Sequence, residues 1–201
     1  SGGLSFSKNE LGDILEIGLV NIISKRDLVV NPSSHTHFIK PSGKHTSKFI
    51  DVKNILESAA EISFIATNIL KLLSNDIERI YVDTPGIYPL AFELANLIKY
   101  FDESKNLISI DSFSSYGGID EYKFRDDSKT LVLISASTSN ELYESLMSIH
   151  RLYQTNFITL IMTKKKESNQ NVLVNFEEYK LKYKQSCFDE FPSYSEAECR
   201  I

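Results

Sequence analysis

Apolar residues between positions 9 and 24 fall at helical spacing: Leu11, Ile14, Leu15, Ile17, Leu19, Val20 and Ile23. Lys25 and Arg26 follow, where cations complement the negative end of a helix, so the pattern predicts an N-terminal helix. Phe38-Ile39 and Phe49-Ile50-Asp51-Val52 are short apolar runs flanking Pro41-Ser42-Gly43, which predicts two strands around a turn. Residues 56–73 return to helical spacing. A strand is then expected over 77–82, a turn at Asp83-Thr84-Pro85-Gly86 and a helix over 90–100. The pattern continues with a strand at 107–110, a Ser/Gly-rich exposed loop at 112–118, a strand at 131–134, a helix over 140–152 and a strand at 157–162. Beyond Lys166 the signal thins: 172–174 reads as an edge strand, and the aromatic, charged tail from Tyr179 takes no assignment.

Strand, turn and helix thus recur about three times at the spacing of βαβ units, whose right-handed crossovers build parallel sheets. The fold class is α/β, with a mainly parallel central sheet flanked by helices in three layers. The 201 residues suit one domain over 4–201, with its core over 27–178, the first helix before it and a tail after it. The opening Ser-Gly-Gly reads as an appended remnant, so the chain is expected to be a piece of a longer protein.

Composition narrows the function classes. A formal charge of −5 opposes the broad basic face that nucleic-acid binding needs, and Lys164-Lys165-Lys166 is expected to be a solvated loop. No apolar run approaches the roughly 18 to 20 residues that cross a bilayer. Cys187 and Cys199 are the two cysteines, too few for a disulfide framework or a four-thiolate zinc site, and they are expected to be structural in a reducing cytoplasm.

In open α/β sheets ligands bind where strands end, which singles out Asp83-Thr84-Pro85-Gly86 and Ser135-Ala136-Ser137-Thr138-Ser139-Asn140. Each precedes a predicted helix whose first N–H groups favour an anion, and the second adds side-chain donors for phosphate oxygens. Ser139 or Asn140 could equally cap its helix. Asp83 is the candidate general base, Asp51 a second by position, and a turn or cap role competes for both. His35, His37 and His45 lie close together but lack metal-ligand spacing, so no metal site is expected.

The segment from Phe38 to Asp51 contains Ser42-Gly43-Lys44-His45 and Lys48 ahead of an aromatic strand. It resembles the substrate-side turn of orotate phosphoribosyltransferases. Asp83-Thr84-Pro85-Gly86-Ile87-Tyr88-Pro89-Leu90-Ala91 is similar to the pyrophosphate-binding loop and helix start of that family, and residues 130–147 occupy the place of its phosphoribosyl pyrophosphate loop. The resemblance implies a type I phosphoribosyltransferase-like domain. Ser42, Gly43, Lys44, His45 and Lys48 would then lie on the substrate side. Asp83, Thr84, Pro85 and Gly86 would form the pyrophosphate loop, and Ser135, Ser137, Thr138, Ser139 and Asn140 would contact phosphate or ribose. It also implies a homodimer or a part of a larger multidomain protein.

Departures from the family pattern bear on activity. The two adjacent acids that grip the ribose in the family are replaced by Ser135 and Ala136, and the turn after them has lost its glycine. The stretch matching the cationic catalytic loop, 112–123, holds one lysine, Lys123, and two acids, Asp120 and Glu121. Removing one preorganised donor to the developing charge typically costs about 10² to 10³ in rate, so these losses imply a domain that binds a nucleotide or phosphorylated sugar without turnover, in a sensing or regulatory part of a bacterial system. No cofactor is expected, with Mg²⁺ needed only if transferase activity is retained. A divergent active phosphoribosyltransferase is the competing expectation, and the Ser/Thr loop also resembles that of sugar-isomerase-type phosphosugar-binding domains.

Overall fold

Residues 8–32, 37–39, 45–73, 76–104, 106–164, 170–184, 188 and 193–195 are described in the computed structural model. In chain order they form α1 (Lys8–Lys25), β1 (Val29–Val30), β2 (Phe38–Ile39), β3 (His45–Thr46), β4 (Phe49–Ile50), α2 (Ala59–Leu70), β5 (Arg79–Val82) and α3 (Tyr88–Phe101). There follow β6 (Ser109–Ser112), β7 (Thr130–Ser137), α4 (Glu141–Ser148), β8 (Asn156–Met162), β9 (Asn171–Asn175), α5 (Phe176–Tyr183) and β10 (Ser193–Tyr194).

Five strands pair in parallel in the order β6-β5-β7-β8-β9, which makes the expected α/β fold with its parallel central sheet. The central strand β7 buries residues 130–134 on both faces, as strands covered by helices do. Alternate side chains feed two cores. Leu131 and Leu133, with Ile80, Val82, Ile158 and Leu160, pack under α1, α2, α3 and α5, while Val132 and Ile134 pack with Tyr81 and Phe157 under α4. Topology explains the two faces. From β5 the chain crosses by α3 to β6 on one side, and from β7 it crosses by α4 to β8 on the other, so two right-handed crossovers put the helices on opposite faces. The order of strands reverses between β5 and β7, and a crevice opens at such a reversal.

Four expectations need correction. Phe38–Ile39 and Phe49–Ile50 do not flank one turn as partners: β2 pairs with β3, and β4 pairs with β1. The polar pair His45-Thr46 forms the strand that intervenes, held in its ladder by backbone hydrogen bonds rather than by an apolar pattern. The helix expected over 56–73 starts at Ala59 and ends at Leu70, because Val52–Ile55 form a separate 3-10 turn in which Val52 and Ile55 are buried. The loop at 112–118 is not exposed throughout, since Phe113 is buried against Tyr122 and Phe124. The helix after β7 stops at Ser148 rather than 152, and Arg151 takes a left-handed backbone (φ 56°). The tail from Tyr179, which took no assignment, begins inside α5, and Tyr179 and, beyond that helix, Phe188 share the larger core with Leu19 and Ile23 of α1.

Candidate functional site

Where β5 and β7 end side by side, a cavity of about 270 Å³ opens. From β3, β4 and the link between them come Thr46, Lys48, Phe49 and Ile50; from the end of β5 come Asp83 and Thr84. The end of β7 and the start of α4 supply Ser135, Ala136, Ser137, Thr138, Ser139, Glu141 and Leu142, and Ser115 closes one side. Three segments predicted separately therefore meet in one place.

Asp83 is the pivot. It is buried (4% exposed), and both its oxygens are engaged by the neighbouring strand: the Ser135 N–H donates to Oδ1 at 3.1 Å and the Ser135 hydroxyl donates to Oδ2 at 2.7 Å. The parallel register of β5 on β7 produces this, setting Val82 beside Leu133 and the Asp83 N–H on the Leu133 carbonyl at 3.2 Å. Burial pushes the Asp83 carboxyl up to about 6, while the donors from Ser135 and the nearby backbone pull the other way. A carboxyl in that range can hold or release a proton near neutral pH, which suits a general base and equally suits an acceptor for a ligand hydroxyl.

The two strand ends differ in what their backbones offer. After β5 the loop satisfies itself: the Gly86 N–H donates to the Thr84 hydroxyl at 3.3 Å, and the Ile87 N–H donates to the Thr84 carbonyl at 3.2 Å. Pro85 and Gly86, predicted with Asp83 and Thr84 as one pyrophosphate-binding loop, do not line the cavity. After β7 the strand runs on through Ser135, Ala136 and Ser137, three residues that were expected in the loop, because Ala136 and Ser137 pair with Ile161 and Met162 of β8. The turn is then made by the Ser137 hydroxyl, which accepts from the Asn140 N–H at 3.0 Å.

Asn140 sits in a left-handed backbone (φ 68°) and makes no side-chain cap, so the capping alternative fails for it; its Oδ1 accepts instead from Gln170 at 2.8 Å. Asn140 does not line the cavity, whereas Ser135, Ser137, Thr138 and Ser139 do.

Of the substrate-side residues, Lys48 reaches the cavity. Strand alternation that turns Thr46 inward turns His45 away, and His45 stacks on His37 with ring centroids 4.4 Å apart. Ser42, Gly43 and Lys44 lie outside the described residues, as do His35, Lys165, Lys166, Cys187 and Cys199. Asp51 is a turn former: it accepts from the Lys53 N–H at 3.2 Å and caps the 3-10 turn. Among the described residues no group of three His, Cys, Asp or Glu could hold a metal ion, and no helix is long and apolar enough to cross a membrane.

Ser115 and Glu141 are among the lining residues that were not named as site residues from the sequence. Ser115 reaches the cavity through a pair of left-handed serines, Ser114 and Ser115 (φ 54° and 52°), which no local pattern announces. Glu141 was visible as the residue after the hydroxyl loop, and its place in the first turn of α4 beside Glu144 sets acids against the positive end of that helix.

No protein-family model and no curated sequence relative matches the chain. By shape it is similar to a UMP synthase from Leishmania donovani, with a TM-score of 0.54 and 14% identity over 88% of this chain and 39% of that one. It is also similar to an orotate phosphoribosyltransferase from Aeropyrum pernix (TM-score 0.53, 16% identity, 83% of this chain and 99% of that one). A phosphoribosyltransferase from Corynebacterium diphtheriae gives 0.51 at 9% identity, over 82% of this chain and 98% of that one. The chain has the type I phosphoribosyltransferase-like fold. At these identities the likeness is one of fold alone.

Proposed function

We propose that this domain binds a nucleotide or a phosphorylated sugar in the cavity between β5 and β7 and does not transfer a phosphoribosyl group, acting as a sensing or regulatory part of a larger assembly. One observation carries the reading: the cavity wall presents the hydroxyls of Ser137, Thr138 and Ser139, while Lys48 is the one cation among the described residues that line it. Phosphoribosyl transfer must stabilise charge building on a leaving pyrophosphate, and a preorganised cation or donor there is typically worth about 3 to 4 kcal/mol. The same hydroxyls suffice to hold a ligand that does not react.

Two assays on the purified chain test this. Nucleotides or phosphosugars should raise the melting temperature, and phosphoribosyl pyrophosphate with Mg²⁺ and each common base should release no pyrophosphate. Pyrophosphate release with any base would overturn the proposal.

A second reading, a divergent active transferase, is supported by the Asp83 carboxyl, which titrates close to the range of a working general base. Under it, Asp83→Asn removes a measurable activity.

A further inference from the structure

We infer that the cavity discriminates by charge, accepting a ligand with one phosphate and rejecting one that carries a pyrophosphate. This rests on the nucleotide or phosphosugar reading above and narrows it.

The observation is the balance of ionisable groups on the wall. Among the described residues that line it, Lys48 supplies one positive charge, and Asp83 and Glu141 supply two acids. Their placement matters as much as their number. Asp83 is buried at the end of β5, held by Ser135, and Glu141 is the first residue of α4, in the turn whose amides would meet an anion. With Glu144 in the same turn, α4 already carries acids that offset its positive end.

A phosphate monoester carries a charge of about −1.5 to −2 near pH 7, which Lys48 and the hydroxyls of Ser137, Thr138 and Ser139 can meet. A pyrophosphate adds a second group of the same sign. The cavity of about 270 Å³ is at the small end for ligand sites, and Glu141 is among its lining residues, so a second charged group entering it shares that space with an acid. The loop after β5 offers no relief, since the Gly86 and Ile87 amides are engaged within it. Like charges forced together across a desolvated contact cost enough to set specificity. Asp83 lines the cavity and can only accept hydrogen bonds when ionised, which favours a ligand that presents a hydroxyl to it.

The test is calorimetric titration of the intact chain with the 5′-monophosphates of adenosine, guanosine, cytidine and uridine and with ribose 5-phosphate. The matching di- and triphosphates and phosphoribosyl pyrophosphate are run beside them, each with and without Mg²⁺. At least one monophosphate should bind, and its pyrophosphate-bearing counterparts should bind at least about tenfold more weakly. Glu141→Gln, checked for an unchanged melting temperature, should narrow that gap about fivefold or more. Raising the salt from about 50 to 500 mM should narrow it in the unaltered protein, a readout that needs no variant.

A diphosphate, triphosphate or phosphoribosyl pyrophosphate that binds as tightly as the monophosphates would overturn the charge-selection inference and leave the binding proposal standing. A gap unmoved by both Glu141→Gln and salt would do the same. If none of these compounds binds, the binding proposal itself fails and this inference falls with it.

Discussion

The ends of β5 and β7 lie side by side in one sheet and each leads to a helix, yet they are built from opposite chemistry. The β5 end supplies a single buried carboxyl, Asp83, followed by a proline-containing turn whose amides are consumed internally. The β7 end supplies hydroxyls, runs on as strand four residues past Leu133, the partner of the last β5 residue, and turns through a left-handed Asn140. The absence of an acid at Ser135 is therefore not an absence in the site. The acid stands one strand over, and the residue beside it has to donate rather than repel. Ser135 does so twice, by its backbone and by its side chain.

The largest effect comes from undoing that division. Ser135→Asp would set a second carboxylate against Asp83 where a hydroxyl now lies 2.7 Å away. Two like charges in a half-buried site should cost about 3 to 5 kcal/mol near neutral pH, by analogy with breaking a buried charge pair. One carboxyl should then hold its proton, so much of the loss should return on acidification. Urea unfolding at about pH 5 and pH 8 reads this directly. A variant as stable as the parent at the higher pH would mean that the two strand ends do not share a site.

Next in size is the pH dependence that Asp83 itself imposes. Its carboxyl is raised from 3.8 to about 6 in the fold, so folding takes up a proton between those values. The contribution is full below the ordinary value and is lost as pH rises through about 6, by roughly 3 kcal/mol. Asp83→Asn keeps an acceptor for Ser135 and removes the titration, so its stability should stay level through the window in which the parent declines. Parallel slopes for the two proteins would show that Asp83 is not the titrating group.

Ser135→Ala tests the other partner, with a smaller loss. Removing a hydroxyl that donates to a charged group costs about 1.5 to 3 kcal/mol, and the Ser135 N–H remains to hold Oδ1. Because the lost donor favours the ionised carboxyl, the deficit should be larger at about pH 7.5 than at about pH 4.5. An equal deficit at both would reassign the effect to lost packing.

Much of this comparison was legible in the chain. Periodicity located the strands and helices of the parallel sheet, and the rule that ligands bind at strand ends picked out both loops. The resemblance carried by Ser42-Gly43-Lys44-His45 and the Asp83 loop anticipated the fold that the shape comparisons support. Contacts across the sequence were not legible. The Asp83 to Ser135 link joins residues 52 apart and depends on β5 and β7 being neighbours, which follows from strand order and not from local pattern. Ser135-Ala136-Ser137 read as loop because small polar residues carry little strand preference, and it is pairing with β8 that makes them strand. Ser115 needed both the topology and two left-handed serines to reach the cavity.

The smallest expected effect sharpens the contrast from the β5 side. A Cβ added at Gly86 would meet the Lys53 side-chain carbons at 3.0 and 3.2 Å and the Thr84 hydroxyl at 3.7 Å. Lys53 is largely exposed, and its arm can swing aside, so Gly86→Ala needs only a shift of a flexible neighbour. The backbone there is not in the left-handed region, and alanine also loses less freedom on folding than glycine does. The change in stability should be within about 1 kcal/mol of zero, and ligand binding should be unaltered, because Gly86 does not line the cavity. A family-like pyrophosphate loop needs close backbone approach at that position and would lose binding when a methyl is added. A large loss of affinity in Gly86→Ala, with the melting temperature unchanged, would place a ligand group on the β5 loop after all and erase the asymmetry between the two strand ends.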